Sequence, residues 1–298
     1  MSGPGARRPG ARRDRTGRLL ASLPDFAQEA IRLAFVAIRV ARGPRSFLTY
    51  LRLKRIPHHA GSGGRVVRMR LRPLGGQTVV LRPSTSDVDT VWGTFAGLYH
   101  RPPEEVDGSG LRLIWDLGSN IGLTMADLAL RHPQARVIGV ELDPENAALA
   151  RTNTAPWSDR CEVVEAAVWP LDGQLHYVRL PGVTSGHYVT EAELDEDPAV
   201  SLAHSISPAS LLALSGPGSV VDYVKVDIEG AESHLLREQT AWTERVRAIK
   251  VEVHDPYTVA DCRSDLDALG FQTRLDPRQA ACVIGVRATR GRTGGAHS

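Results

Sequence analysis

The chain is short of lysine. Of its 36 basic residues only Lys54, Lys225 and Lys250 are lysines and the rest are arginines, a bias that reads as base composition of the gene rather than function. Cysteine is scarce too: Cys161, Cys262 and Cys282 form no C-x-x-C pair, which removes the redox and zinc readings of such a pair and leads us to expect a reducing, cytoplasmic setting. No apolar run reaches the ~20 residues of a membrane-spanning helix. Net charge is only +2, so no strong overall field argues for nucleic acid. The pairs Arg7-Arg8 and Arg12-Arg13 lack the apolar core and cleavage site of an export signal. The dinucleotide fingerprint G-x-G-x-x-G is missing from the glycine turn considered next.

What is present starts with residues 113–124, Leu-Ile-Trp-Asp-Leu-Gly-Ser-Asn-Ile-Gly-Leu-Thr. A short apolar run ends at Asp116, Gly118 and Gly122 bracket a tight turn, and a helical pattern follows. This is strand, glycine turn, helix. Glycine lets a ligand approach the backbone, and the helix N-terminus offers unpaired N–H groups to a carboxylate or phosphate. The next segment, 136–141, is a second strand ending in Glu141. An acid ~20 residues beyond the first turn takes a ribose diol, which fits NAD or S-adenosylmethionine. Asp116 would repel a pyrophosphate and suits the cationic amino-acid end of S-adenosylmethionine.

The length of 298 residues and hydrophobic fraction of 42% suit one large α/β domain with decoration. Residues 1–18 are a basic tail with little to bury, expected to be disordered, as are 291–298. Residues 19–110 hold N-terminal helices and a hairpin that cover cofactor and substrate. Within them, Phe26, Ala30, Leu33, Ala37 and Val40 share a helical face, 65–82 alternates as a hairpin, and a helix runs from 88 to 99 with Ser86 or Asp87 as its cap. The face of the first helix packs on the body or a partner; its arginine-rich polar side also admits membrane-surface binding. Residues 111–290 form the main domain, with strands at 111–116, 135–141, 161–168, 221–227 and 246–253. Helices are expected at 122–132, 144–153, 231–241 and 258–269, and a closing hairpin at 271–275 and 282–287. Such alternation implies a mostly parallel sheet with helices on both faces and a ligand beyond the carboxyl ends of its strands. Asp116, Glu141, Asp227 and His254 all fall at such ends. The insertion 169–219, with short strands at 174–180 and 187–190 and an acidic loop at 191–197, is expected to act as a lid.

In order along the chain stand Arg82-Pro-Ser-Thr-Ser-Asp87, Trp115-Asp-Leu-Gly-Ser-Asn-Ile-Gly122, Val140-Glu-Leu-Asp-Pro-Glu-Asn146, Glu165-Ala-Ala-Val168, Tyr223-Val-Lys-Val-Asp-Ile-Glu-Gly-Ala-Glu232 and Val251-Glu-Val-His254. With these segments the chain resembles the FkbM family of S-adenosylmethionine-dependent methyltransferases over roughly 82–254. The Lys225-x-Asp-x-Glu-Gly-x-Glu232 segment is the most specific mark. The family's usual Glu-Pro is here Glu141-Leu-Asp-Pro144, with the acid retained. The resemblance implies a class I methyltransferase fold, Rossmann-like, with seven strands of which one is antiparallel. It implies O-methylation of a small-molecule hydroxyl, on a secondary metabolite or a sugar. Asp116, Gly118 and Asn120 would surround the amino-acid moiety, Glu141 the ribose, Leu142 and Ala166 or Ala167 the adenine, and Ser86 would cover the cofactor. Ser119, Gly122, Asn146 and Asp227 are assigned to the same cofactor site.

An alcohol acceptor must lose its proton during attack. Asp227, Glu229 and His254 are the catalytic candidates, and His254 ranks first because a neutral imidazole accepts a proton near pH 7. Asp227, Glu229 and Glu252 would hold Mg²⁺ if the reaction uses it. Against these stand plainer readings: Glu229 starts a helix and favours its dipole, and Glu252 pairs with Lys225 or Lys250 inside the sheet. A cofactor- or partner-holding module without catalysis and an NAD-dependent oxidoreductase are the competing functions. The expected partner is a small-molecule hydroxyl acceptor, with no nucleic acid and no stable membrane insertion; a homodimer stays open. Deleting residues 1–18 should leave turnover unchanged, and a large loss of turnover with the fold intact would contradict this.

Overall fold

The structure, a computed structural model, describes residues 24–58, 63–107, 110–178, 188–190 and 200–287. The tails expected at 1–18 and 291–298 and the acidic loop at 191–197 lie outside the described residues. Two helices come first, α1 (Asp25–Val40) and α2 (Pro44–Leu53). On the expected inner face of α1, Ala37 and Val40 are buried and Leu33 half-buried, but Ala30 is exposed. Strands β1 (Val67–Arg70) and β2 (Thr78–Leu81) pair antiparallel with Met69 opposite Val79, the alternation having placed Met69 inward. The helix expected to reach 99 stops early: α3 (Asp87–Trp92) widens into a π-turn over Gly93–Gly97, and a short α4 (Glu104–Asp107) follows.

The main domain then alternates as its apolar runs require. It runs β3 (Leu113–Leu117), α5 (Leu123–Arg131), β4 (Arg136–Glu141), α6 (Pro144–Thr154), β5 (Cys161–Glu165) and β6 (Ala167–Val168). The insertion adds β7 (Gly173–Val178), β8 (Tyr188–Thr190), β9 (Val200–Ile206) and α7 (Pro208–Ser215). The chain returns through β10 (Val221–Val226), α8 (Glu232–Arg237), β11 (Val246–Glu252), α9 (Val259–Ala268), β12 (Gln272–Asp276) and β13 (Gln279–Val286). Local signals set the helix starts. Asp143 accepts from the N–H groups of Glu145 and Asn146 with Pro144 at the first position of α6, and Thr258 and Asp261 form a reciprocal cap on α9.

Seven strands form one sheet in the order β12-β13-β11-β10-β3-β4-β5. β3, β4, β5, β10 and β11 run parallel, and β13 lies antiparallel between β11 and β12. This is the class I, Rossmann-like arrangement that the resemblance implies, with its single reversed strand. Apolar residues cover both faces. On one, Trp115 stacks on Trp242 at 6.1 Å between ring centroids. On the other, Ile114, Val137 and Tyr223 share a core with Tyr50, Met69, Leu71 and Leu81, so the N-terminal helices and hairpin are built into the domain rather than appended to it. A four-stranded sheet, β6-β9-β7-β8, is made by the insertion together with β6, the short strand that precedes it. β9 is not among the expected strands, although Val200, Leu202, His204 and Ile206 alternate with small residues.

The Arg82–Asp87 segment closes on itself. Arg82 donates from its backbone N and its Nε to Asp87 Oδ2 at 2.7 and 3.1 Å, and from Nη2 to Oδ1 at 2.9 Å. The same Nη2 donates to Asn146 Oδ1 at 2.6 Å, tying the segment to α6. Ser86 occupies the cap position of α3 but makes no side-chain cap bond, so the expected cap is replaced by a buried ion pair. Arg82 is 7% exposed and Asp87 0%. Removing one member of such a pair leaves an uncompensated buried charge. Arg82→Ala should therefore lower unfolding stability by ~3–5 kcal/mol in urea melts, whereas exposed Arg45→Ala should change it by less than ~0.5 kcal/mol.

Candidate functional site

The chain leaves β3 toward β4 on one side, and β10 leads to β11 on the other. Where neighbouring strands part this way, a crevice opens at their carboxyl ends. A cleft of about 700 Å³ lies there. Gly118 sits in it at a φ of +80°, and a Cβ at this position would stand 1.8 Å from the carbonyl oxygen of Asp227. Only glycine allows the β3 turn to pass that close under the end of β10. Ser119, Asn120, Leu142, Asn146, Ala166 and Ala167 also line the cleft. The side-chain oxygens of Ser119 and Asn120 are buried with no hydrogen-bond partner among the described residues. A buried polar atom left unpaired is costly, and these two belong to residues that line the cleft.

Glu141 lines the cleft beside Asn120. Its Oε2 accepts the Asn120 N–H at 2.7 Å, and its Oε1 accepts from the Asp143 N–H at 2.9 Å and Asn146 Nδ2 at 3.3 Å. Burial pushes its carboxyl up to about 7 against the pull of those donors. Arg82, Asn146 and Glu141 thus form a continuous polar chain from the N-terminal segment to the second strand.

At the base of the cleft, Lys225 Nζ lies 3.3 Å from Asp116 Oδ1 and 3.1 Å from Asp227 Oδ2. Burial works against its charge, but Asp227 and Asp116 outweigh that and hold the ammonium well above the usual lysine range. Asp116 is fully buried, bonded by the Thr124 hydroxyl. It lies beneath the turn and is not part of the cleft lining. Gly122 is also outside the lining: a Cβ there would lie 2.8 Å from Ala150 Cα, so its bareness serves the packing of α5 on α6. Ser86 is absent from the lining too, and Thr90, one helical turn on, takes its place.

The catalytic candidates converge, with changed roles. Asp227 and Glu229 line the cleft, and His254 Nε2 lies 3.3 Å from Glu229 and 3.8 Å from Asp227. His254 Nδ1 pairs with buried Glu232 at 2.8 Å. Burial alone would discharge the imidazole, but the bond to Glu232 and the charges of Glu232, Glu229 and Asp227 push it up to about 9. The neutral histidine expected near pH 7 is therefore corrected: it is an imidazolium there. Glu229 does not begin a helix. It sits at a φ of +54° ahead of α8, and burial followed by the charge of Asp227 raises its carboxyl above the usual range. Glu252 pairs with neither lysine; it accepts from Gln279 Nε2 at 2.5 Å, and burial with Asp227 pushes it up to about 7. Lys250 is taken by Asp276 at 2.6 Å.

Ligand atoms of Asp227, Glu252 and His254 lie within 4.8 Å of one another, which replaces Glu229 by a histidine in the set expected for Mg²⁺. A set that includes an imidazole nitrogen is a poor match for Mg²⁺, which prefers oxygen ligands throughout. Thr90, Tyr99, Thr124, Val140, Val168, Ile228 and Ala231 complete the lining and were not foreseen. Tyr99 comes from the N-terminal segment and stands with its ring 5.6 Å from Lys225 Nζ; no local pattern marks it. No described residue of 169–219 is in the lining.

Among known proteins, the tRNA1(Val) (adenine(37)-N6)-methyltransferase of Porphyromonas gingivalis is 42% identical over 74 residues, 24% of this chain and 28% of that relative. The chain thus spans little more than a quarter of that relative's length. Of solved structures, precorrin-6y C5,15-methyltransferase from Geobacter metallireducens is 13% identical with a TM-score of 0.37, over 62% of this chain and 87% of the other. An O-methyltransferase family protein from Burkholderia thailandensis is 16% identical with a TM-score of 0.39, over 68% and 58%. The family model for the methyltransferase FkbM domain matches residues 116–273, from the acid under the glycine turn into β12. That match takes in more than half of the sequence, and the chain belongs to the FkbM methyltransferase family.

Proposed function

We propose that the protein is an S-adenosylmethionine-dependent O-methyltransferase acting on a hydroxyl of a small molecule, a secondary metabolite or sugar moiety. The observation that carries this reading is the acidic end of the cleft. Asp227 and Glu229 stand at the carboxyl end of β10, beside the glycine turn. When bound, S-adenosylmethionine supplies an electrophilic methyl group on a cationic sulfonium, which carboxylates at that end favour. The unpaired Ser119 and Asn120 oxygens suit the ammonium of its amino-acid end, Glu141 its ribose diol, and Leu142, Ala166 and Ala167 its adenine. A mouth walled by carboxylates is opposite in sign to what a phosphate backbone takes, and this favours a small acceptor over the RNA substrate of the Porphyromonas relative.

For the proton, the residues divide the work. Glu229, its carboxyl raised by burial, is a stronger base than an exposed glutamate and accepts the acceptor's proton at a carboxylate oxygen. Asp227, held by Lys225, orients the acceptor. His254, as an imidazolium between Glu232 and Glu229, keeps the cluster of acids from repelling itself. Tyr99 and Thr90 close the wall against water.

Glu141→Ala should weaken S-adenosylhomocysteine binding ~10- to 100-fold in calorimetry, as expected for a charge-assisted contact of ~1.5–3 kcal/mol. Because a diol donates to the ionised form, wild-type affinity should rise with pH through about 7, and Glu141→Gln should flatten that rise. Unchanged affinity in Glu141→Ala would remove the residue from the site.

Glu229→Gln should cost ~10²-fold or more in turnover at saturating cofactor, with affinity for the uncharged thioether S-adenosylhomocysteine preserved. A base acts deprotonated, so with Glu229 in this role the pH–rate profile reaches its plateau below the titration of His254. An acid limb centred near 9, lost in His254→Ala, would return the role to His254.

A further inference from the structure

The charge of this chain is segregated in a way that its net value of +2 hides. Residues 1–82 hold 18 of the 36 basic residues and 3 of the 34 acidic ones, a net +15, while residues 83–298 hold 18 and 31, a net −13. Dipolar charge of this kind points to an anionic partner for one side of the molecule.

The surface that α1 and α2 present is not only basic. α1 is apolar on two faces. One packs inward through Leu33, Ala37 and Val40; on the other, Ile31, Phe35 and Ile38 are 42%, 58% and 60% exposed. The spacing of 31, 35 and 38 puts these three on a single stripe. Arg32 and Arg39 flank it, with the Arg39 guanidinium 5.4 Å from the Phe35 ring. On α2, which packs beside α1, Leu48 is 51% exposed between exposed Arg45 and Arg52. Nucleic acid would use the arginines and leave Ile31, Phe35, Ile38 and Leu48 without a role. A second copy of this face would bring arginines against arginines. A surface that is apolar just below a layer of negative charge satisfies both sets at once.

We propose that the α1–α2 face docks the protein reversibly on an anionic lipid surface, Ile31, Phe35, Ile38 and Leu48 entering the acyl boundary and the flanking arginines meeting the headgroups. The acidic remainder of the chain is repelled by the same surface, which fixes the orientation. No helix among the described residues is long and apolar enough to cross a membrane, so the attachment is to the interface. Because α1 packs on α3 and the 93–97 turn, and Thr90 of α3 lines the cleft, the docked face backs directly onto a wall of the site.

The test is co-sedimentation of the full chain with vesicles of phosphatidylcholine alone and with about a third phosphatidylglycerol, at low and ~0.5 M salt. Binding is expected to the anionic vesicles only and to fall as salt rises. Ile31→Asn/Phe35→Asn/Ile38→Asn and Arg32→Gln/Arg39→Gln/Arg45→Gln should each weaken it at least ten-fold, with unchanged circular dichroism and melting temperature. No binding to anionic vesicles, or binding that survives the apolar triple variant, overturns the proposal. So does a dimer in analytical ultracentrifugation that the apolar variant splits, which would make the face a self-interface. Tighter binding to a single-stranded oligonucleotide, lost in the arginine variant and kept in the apolar one, would assign the face to nucleic acid.

Discussion

One buried ammonium organises the ligand edge of the sheet. Lys225 lies opposite Asp116 in the register of neighbouring parallel strands, and its Nζ reaches Asp116, Asp227 and the Gly118 carbonyl together. A single acid at that depth would carry a heavy desolvation cost. Two acids around one cation, with the Thr124 hydroxyl on Asp116, satisfy one another. The lysine thereby fixes the end of β10 against the β3 turn, and that contact is so close that position 118 must be glycine.

Acidity then grades outward from this centre. Asp116 is sealed beneath the turn, Asp227 is partly open to the cleft, and Glu229 and Glu252 lie further out, with carboxyls raised by burial and by Asp227. His254 enters among them on the loop after β11 and keeps its proton because Glu232 holds its other nitrogen. A site for a cationic donor and a hydroxyl acceptor needs this combination: negative charge where the sulfonium would lie, and a carboxylate that binds protons more tightly than an exposed one. The second strand makes a similar economy, with Glu141 bonded by the turn, by α6 and, through Asn146, by the Arg82–Asp87 clamp.

Periodicity and motif spacing revealed the sheet, the glycine turn and the convergence of Asp227, Glu229 and His254, because strand ends in an alternating α/β chain must share one edge. Pairings across the sheet were not legible. Glu252 was expected on a lysine, yet Lys225 and Lys250 went to Asp116 with Asp227 and to Asp276, a choice set by register and facing that a one-dimensional pattern does not contain. The proton on His254 was hidden for the same reason: its partner Glu232 is 22 residues away. Ser86 and Gly122 belong to motifs contiguous with lining positions but are not themselves in the lining, and the space a Gly122 Cβ would take is held by Ala150. Tyr99 and Thr90 could be found only once the N-terminal segment was seen to share the domain's core.

The account rests on the cleft holding S-adenosylmethionine in one orientation, and a crystal structure with S-adenosylhomocysteine tests that most directly. The account predicts the ribose on Glu141, the amino-acid end against Gly118, Ser119 and Asn120, and the sulfur turned toward Asp227 and Glu229. A ligand seated outside this cleft, or lying in it with the sulfur away from both carboxylates, would contradict it.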